Sequence, residues 1–432
     1  MIALTYFNLQ KTDNNTRLFA ILGVSTKMLG GFAFLMVYTF YFNRLGDTFA
    51  YLSISKKLYL LILEKPSVLF ELFTPFAESK SIDFYQFIKS IDFYADWDTY
   101  TVILFSTFIN FFSFGEPFTT TIIFSAISFL GLWQLFLIIK RIFPTYKVES
   151  IIATLFVPSV VFWGSGVLKD TLVMGFLGYF INAFFKVFHY NEINFRNLFW
   201  IIISSLVVAL IKPYIILSLI PAILFYILSL TIVKVKNIVV KAVILPLVVL
   251  IISATSVYGI IKIGEFFPQY STGRVLETAE KYQFHHYAGG NTNAEGAGSG
   301  YTLGGYNSTF IGILGQVPSS INVTLFRPYL WEIRNPGMLI SAIESVIFLL
   351  LTIYILFKTG IVRSFQIIKQ DSFLIFSTTF FLFFAFAVGF TSYNFGALAR
   401  YKIPCMPFFI FTLLFLYRHS LKEKKKMVFL RR

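Results

Sequence analysis

The chain has 432 residues, 57% of them hydrophobic and 13% charged, with a mean hydropathy of +0.74; a soluble domain carries about 25% charged residues, so an ordinary water-solvated globule is excluded. The net charge is +15, yet Lys and Arg punctuate the ends of apolar runs and form no stripe interleaved with aromatics, which argues against a nucleic-acid partner. Cys405 is the only cysteine, so no intramolecular disulfide is possible.

Apolar runs long enough, or nearly so, to cross about 30 Å of hydrocarbon as helices occupy 20–42, 118–139, 150–166, 171–188, 197–211, 214–233, 239–262, 338–357, 372–390 and 403–417. The sequence therefore predicts an all-α, polytopic integral membrane protein, one transmembrane domain over 1–432 with about ten spans. The first seventeen residues mix polar and apolar types and no small-residue cleavage site follows the first run, so no cleavable signal peptide is expected. Basic residues recur on alternate connections: Lys11 and Arg17; Lys140, Arg141 and Lys147; Lys186 and Arg196; Lys234, Lys236 and Lys241; Lys358, Arg363 and Lys369; and the tail 418–432. By the positive-inside rule these are cytoplasmic, with both termini inside and 43–117, 263–337 and 391–402 outside; the expected location is the inner (cytoplasmic) membrane.

Thr99–Phe114 is apolar but followed at once by Gly115-Glu116-Pro117. Were it a span, the Lys-rich tail would be turned outward. It is therefore expected at the outer interface with the amphipathic stretch Lys57–Phe76 as companion. The second outer loop, 263–337, is Gly-rich over Ala288–Tyr306 and reads as a mobile lid or linker. Its Gly296-Ala297-Gly298-Ser299-Gly300 lacks the preceding strand of a phosphate loop.

Charges at helix mouths carry the chemical signal. Asp47 follows the first span within Asn43-Arg44-Leu45-Gly46-Asp47. It reads either as a partly desolvated carboxylate able to take a proton from a hydroxyl or as a helix-starting aspartate after a glycine stop. Lys169-Asp170 opens a helix after Pro158 through Gly166, as an interfacial ion pair or as substrate contacts. Lys212-Pro213 breaks the apolar stretch Trp200–Val233 near the outer surface, where Lys212 either snorkels to headgroups or faces a cavity. Arg400 and Lys402 precede the Pro404-initiated last span and suit a phosphate-diester clamp or headgroup contact. Arg327, Glu332 and Arg334 sit among Tyr329 and Trp331, an aromatic belt or a substrate loop. Glu344 and Lys27 lie inside spans, and His285-His286 lies in the Gly-rich loop.

Gly46-Asp47 with Tyr51 after the first span, Pro158 and Ser159 ahead of Lys169-Asp170, the Lys212-Pro213 break, and Arg400-Tyr401 with Pro404 and Pro407 resemble, in that order along most of the chain, the GT-C superfamily of membrane glycosyltransferases. Protein O-mannosyltransferases and the aminoarabinose transferase of lipid A belong to that superfamily. The resemblance implies a polyprenyl-phosphate-sugar donor, a glycan, lipid or protein acceptor hydroxyl at the outer face, and transfer with inversion. It implies Asp47 as base, with Asp170 or one of Asp92, Asp96 and Asp98 as second acid. Arg400, Lys402, Lys212 and Lys169 would hold the donor phosphate, with Tyr51, His285, Arg327, Glu332 and Arg334 as further substrate contacts. No protein-bound metal site or fixed cofactor is implied, and a divalent cation is left open. Two other readings stand beside it: an O-antigen-type polymerase or ligase using Arg274, Arg327 and Arg334, and a lipid-linked-sugar flippase without catalysis.

Overall fold

The structure is a computed structural model and describes residues 14–73, 81–89, 97–232, 299–304, 310–334 and 336–430. The expected span 239–262, and Arg274, His285, His286, Asp92, Asp96 and most of the Gly-rich stretch, lie outside the described residues. Among the described residues there is no β-strand, and Gly300 with Asn394 forms an isolated antiparallel bridge. Among the described residues six helices are long and apolar enough to cross a membrane, seven if one bent pair counts as a single span. The chain is an all-α, multi-pass membrane protein. It divides into two units, 1–212 and 213–432.

In the first unit, α1 (Asn14–Met36) runs on through a π-helical turn, Val37–Tyr41. After Gly46, whose φ of +100° suits glycine, α2 (Asp47–Glu64) begins. The short α3 (Val68–Glu71) and α4 (Ile82–Lys89) lead to α5 (Trp97–Ser113), then α6 (Pro117–Ile142). Proline at the first position of α6 costs no hydrogen bond there. The expected span 150–166 is split at Val157-Pro158 into α7 (Lys147–Leu155) and α8 (Pro158–Trp163), because proline cannot continue the ladder begun by α7. Next come α9 (Lys169–Phe188) and α10 (Phe195–Ile211), the latter an apolar helix of 17 residues.

Side-chain pairings set the directions. Thr16 meets Lys140 while Gly31 faces Thr121 and Ser125, so α1 and α6 are antiparallel. Ile127 abuts Gly175 and Asn182 donates to the Gln134 carbonyl, so α6 and α9 are parallel. Gly131, Gly175 and Gly178 let these two backbones touch; a Cβ on Gly131 would overlap the Gly175 carbonyl. The broken α7–α8 therefore makes the return crossing: Leu155 lies at Gly23, Val161 at Gly30 and Gly166 at Phe34, in step with α1.

Helix α5 takes a different course. Asp98 at its start pairs with Lys169 of α9, and Ser113 at its end bonds Thr120 of α6. Those two first turns lie at one end of the bundle, so α5 is strung across that end and does not run alongside the long helices. The same end carries Asp47, Asp98, Lys169, Asp170 and Lys212; the opposite end carries Arg17, Lys140, Arg141, Lys147, Lys186 and Arg196 with Glu192.

The second unit is packed on phenylalanine. Helix α11 (Pro213–Ile232) lies antiparallel to α16 (Ser372–Ser392), with Tyr214 at Phe384 and Tyr226 at Phe376. After α12 (Phe310–Gly315), the ten-residue α13 (Val317–Phe326) descends beside α16, where Gly389 admits the Ser320 carbonyl and Thr324 donates to the Ala385 carbonyl at 2.7 Å. The chain then turns at Arg327, whose carbonyl accepts from Ser345 of α14 (Pro336–Thr359), and returns toward the start of that helix, so that Val317–Ile333 forms a hairpin. Helix α15 (Ile361–Lys369) follows, before α16. The last expected span, 403–417, is one arm of a pair, α17 (Phe395–Tyr401) and α18 (Met406–Leu430), bent by 70°.

Candidate functional site

In the first unit the site is built on one irregular stretch. Gly164–Leu168, between α8 and α9, is wholly buried although it has no helical bonding to absorb its carbonyls. Each of four consecutive carbonyls is taken by a side chain. The Lys27 ammonium of α1 donates to Gly164 O at 2.6 Å and to Val160 O at 2.9 Å; Ser125 of α6 donates to Ser165 O at 2.7 Å. Thr171 of α9 donates to Gly166 O at 2.6 Å and Thr48 of α2 to Val167 O at 3.3 Å. A buried backbone carbonyl without a donor is costly, so this turn is held by its surroundings at each of its first four residues.

The turn delivers two charged residues. Lys169 pairs with Asp98 at 2.6 Å, half shielded from solvent. Asp170, 1% exposed, forms a buried ion pair with Lys212, 4% exposed at the end of α10. Asp170 also stands in the first turn of α9, where the helix dipole favours a negative charge. The residue beside Thr48 is Asp47, half-buried in the first turn of α2; Tyr51, one turn on, is buried at 1% exposure. Asp47, Asp98 and Asp170 thus share one end of a bundle of apolar helices with Lys169 and Lys212.

Of the residues expected from sequence, this end holds Asp47, Tyr51, Lys169, Asp170 and Lys212. Lys169 and Asp170, neighbours in sequence, do not pair with each other; each faces a partner from another helix. Asp98, offered by the sequence only as one of several scattered acids, is the partner of Lys169. The roles of Lys27, Thr48, Ser125 and Thr171 were not legible beforehand. The run Gly164-Ser165-Gly166 after an aromatic helix end is the signal that could have pointed to a turn.

The second unit gathers the remaining candidates. At the tip of the Val317–Ile333 hairpin the Arg327 guanidinium grips Glu332, with Nε 3.1 Å from both carboxylate oxygens, and lies 5.4 Å from the Phe395 ring centre. The Glu332 carboxylate also accepts the Tyr329 backbone N–H at 2.8 Å. Tyr301 stacks on Tyr393 and donates to the Gly389 carbonyl at 2.8 Å, and burial raises its hydroxyl pKa. Deeper, Ser345 donates to the Arg327 carbonyl at 3.0 Å and accepts from the buried Lys402 ammonium at 3.2 Å. Lys402 sits at the break between α17 and α18, with Glu344 buried nearby on α14. Arg400 lies over its neighbour Tyr401, 5.2 Å from the ring centre, and Arg334 is exposed. Among the described residues no group of three or more His, Cys, Asp or Glu converges to hold a metal ion.

No protein-family model matches this sequence, and neither the curated proteins nor the solved structures include a significant match to it.

Proposed function

We propose that the chain is a membrane glycosyltransferase that moves a sugar from a polyprenyl-phosphate donor to an acceptor hydroxyl at the outer face of the inner membrane. The observation that carries this reading is the grouping of Asp47, Asp98–Lys169 and Asp170–Lys212 at one end of the first unit. A hydroxyl acceptor needs a carboxylate to take its proton, and a phosphate leaving group needs fixed cations as negative charge develops. Asp47 is the acceptor-side base in this reading. It opens α2, and the next residue, Thr48, ties that helix to the buried turn.

Orientation comes from charge. The opposite end of the unit concentrates Arg17, Lys140, Arg141, Lys147, Lys186 and Arg196, which the positive-inside rule assigns to the cytoplasm. Helix α5, strung across the other end, then lies at the outer interface. At the same end of the first unit, Lys169 and Lys212 supply the cations for the donor phosphate. The test is incubation of the full-length protein in nanodiscs with polyprenyl-phosphate sugars and candidate acceptors, followed by mass analysis. Transfer that disappears in Asp47→Asn supports the reading; undiminished transfer in that variant, or no donor consumed at all, sinks it.

A transport reading is favoured by a different observation: each unit has a buried lysine at an interrupted helix, Lys27 at α8 and Lys402 between α17 and α18. Movement of a labelled lipid-linked sugar across proteoliposomes without bond cleavage would establish it in place of transfer.

A further inference from the structure

We infer that Lys27 is the positioning residue of the candidate site: from inside the first span it clamps the Gly164–Leu168 turn and thereby sets where Asp47 and Asp170 stand. The inference rests on the proposed transferase reading for its kinetic consequence, but its structural content is independent of it.

Lys27 lies near the middle of α1 and is fully buried, fourteen residues before Tyr41 at the end of that span. A lysine there is costly unless its charge meets compensating oxygens. Here the compensation comes from the backbone. The Nζ contacts in the structure are two backbone carbonyls, Val160 O and Gly164 O, at the C-terminal end of the six-residue α8. The carbonyl end of a helix is its negative pole, so the ammonium caps the half-helix that Pro158 created.

What the cap fixes is the route to the site. Gly164 begins the turn; the three carbonyls after it are held by Ser125, Thr171 and Thr48, and Thr48 is the neighbour of Asp47. Glycine at 31 and at 166 permits this fit, since a Cβ at either would collide with Ser125 or with the Phe34 ring. The clamp therefore joins the C-terminal end of α8 to the starts of both α2 and α9. Loss of the Lys27 donor leaves Gly164 O and Val160 O without their ammonium, and the turn with its first anchor gone. Ser125, Thr171 and Thr48 still hold the rest, so the fold persists while the geometry at its mouth loosens.

The experiment compares Lys27→Met and Lys27→Arg in full-length protein in nanodiscs. Hydrogen exchange across 156–170 is read by mass spectrometry, with 372–392 in the second unit as internal reference. The clamp predicts exchange in 156–170 at least about tenfold faster in Lys27→Met, no change in 372–392, and return toward wild type in Lys27→Arg. Where sugar transfer is measurable, kcat falls on the order of 100-fold while KM for the donor stays within about twofold, and arginine restores part of it. Unchanged exchange in 156–170 overturns the inference. Should Lys27→Met fail to insert, Thr48→Val releases the same turn from its other end and must speed the same peptide; if it does not, the clamp is refuted. Faster exchange in a protein that transfers no sugar refutes the enzymatic reading and leaves the clamp standing.

Discussion

Asp170 and Lys212 close α9 onto α10 as a buried ion pair, although 42 residues separate them in sequence. The pair explains why Lys212-Pro213 interrupts a long apolar stretch. The helix ends where its lysine can reach a carboxylate, and proline then starts the next helix with no N–H to satisfy.

Breaking that pair from one side leaves a buried charge alone. Lys212→Met or Asp170→Asn is expected to destabilise the protein by about 3–5 kcal/mol, whereas the double change to apolar residues of similar size costs much less. Thermal unfolding in one detergent, compared across the three variants, checks this; equal losses in single and double variants would contradict it.

The contact of α6 with α9 depends on glycines that bring two backbones together. Gly131→Val puts methyl groups into the Gly175 carbonyl and should cost about 1–3 kcal/mol or more. The measurable result is a lower unfolding midpoint. A matched change at the exposed Ile202 of α10 should leave the midpoint unaltered.

Chemistry should separate the two units. With Asp47 as the base, Asp47→Asn lowers kcat by about 10²–10⁴-fold, while Arg327→Ala retains transfer. The polymerase reading expects the reverse: loss at Arg327 and Arg334 with Asp47→Asn active. Steady-state kinetics of the three variants decides between them.

At the basic end, Arg141 donates a side-chain hydrogen bond to Glu192 and holds its carboxyl below the ordinary carboxylate value. A depressed folded pKa means that the stabilisation is present above the unfolded value and is lost as pH falls through the folded one. The difference in unfolding midpoint between wild type and Glu192→Gln should therefore vanish only on acidification below the usual glutamate range. Both side chains are more than a third exposed, so the effect should also shrink with added salt.

Topology can be read with single cysteines once Cys405, which is buried, is replaced by serine. A cysteine at Asn43 should react with an impermeant maleimide from outside, and one at Asn191 only after permeabilisation. The opposite pattern would turn the protein over and place the Asp47 end in the cytoplasm.

Composition and hydropathy determined that this chain lives in lipid as helices, because apolar runs of that length leave the backbone no other way to satisfy itself. They also located most helices: the runs at 20–42, 118–139, 171–188 and 372–390 became α1, α6, α9 and α16 with shifted ends. Sequence even flagged Asp47, Asp170 and Lys212, since charge beside a hydrocarbon boundary is conspicuous on its own. Pairing was a different matter. That Lys169 turns to Asp98 and Asp170 to Lys212, that 150–166 crosses as two broken pieces, and that Lys27 caps the break were decided by tertiary contacts between helices over 130 residues apart in the last case. A buried ammonium or carbonyl is satisfied by whichever group packing brings within about 3 Å, and no local pattern in the chain encodes which group that will be.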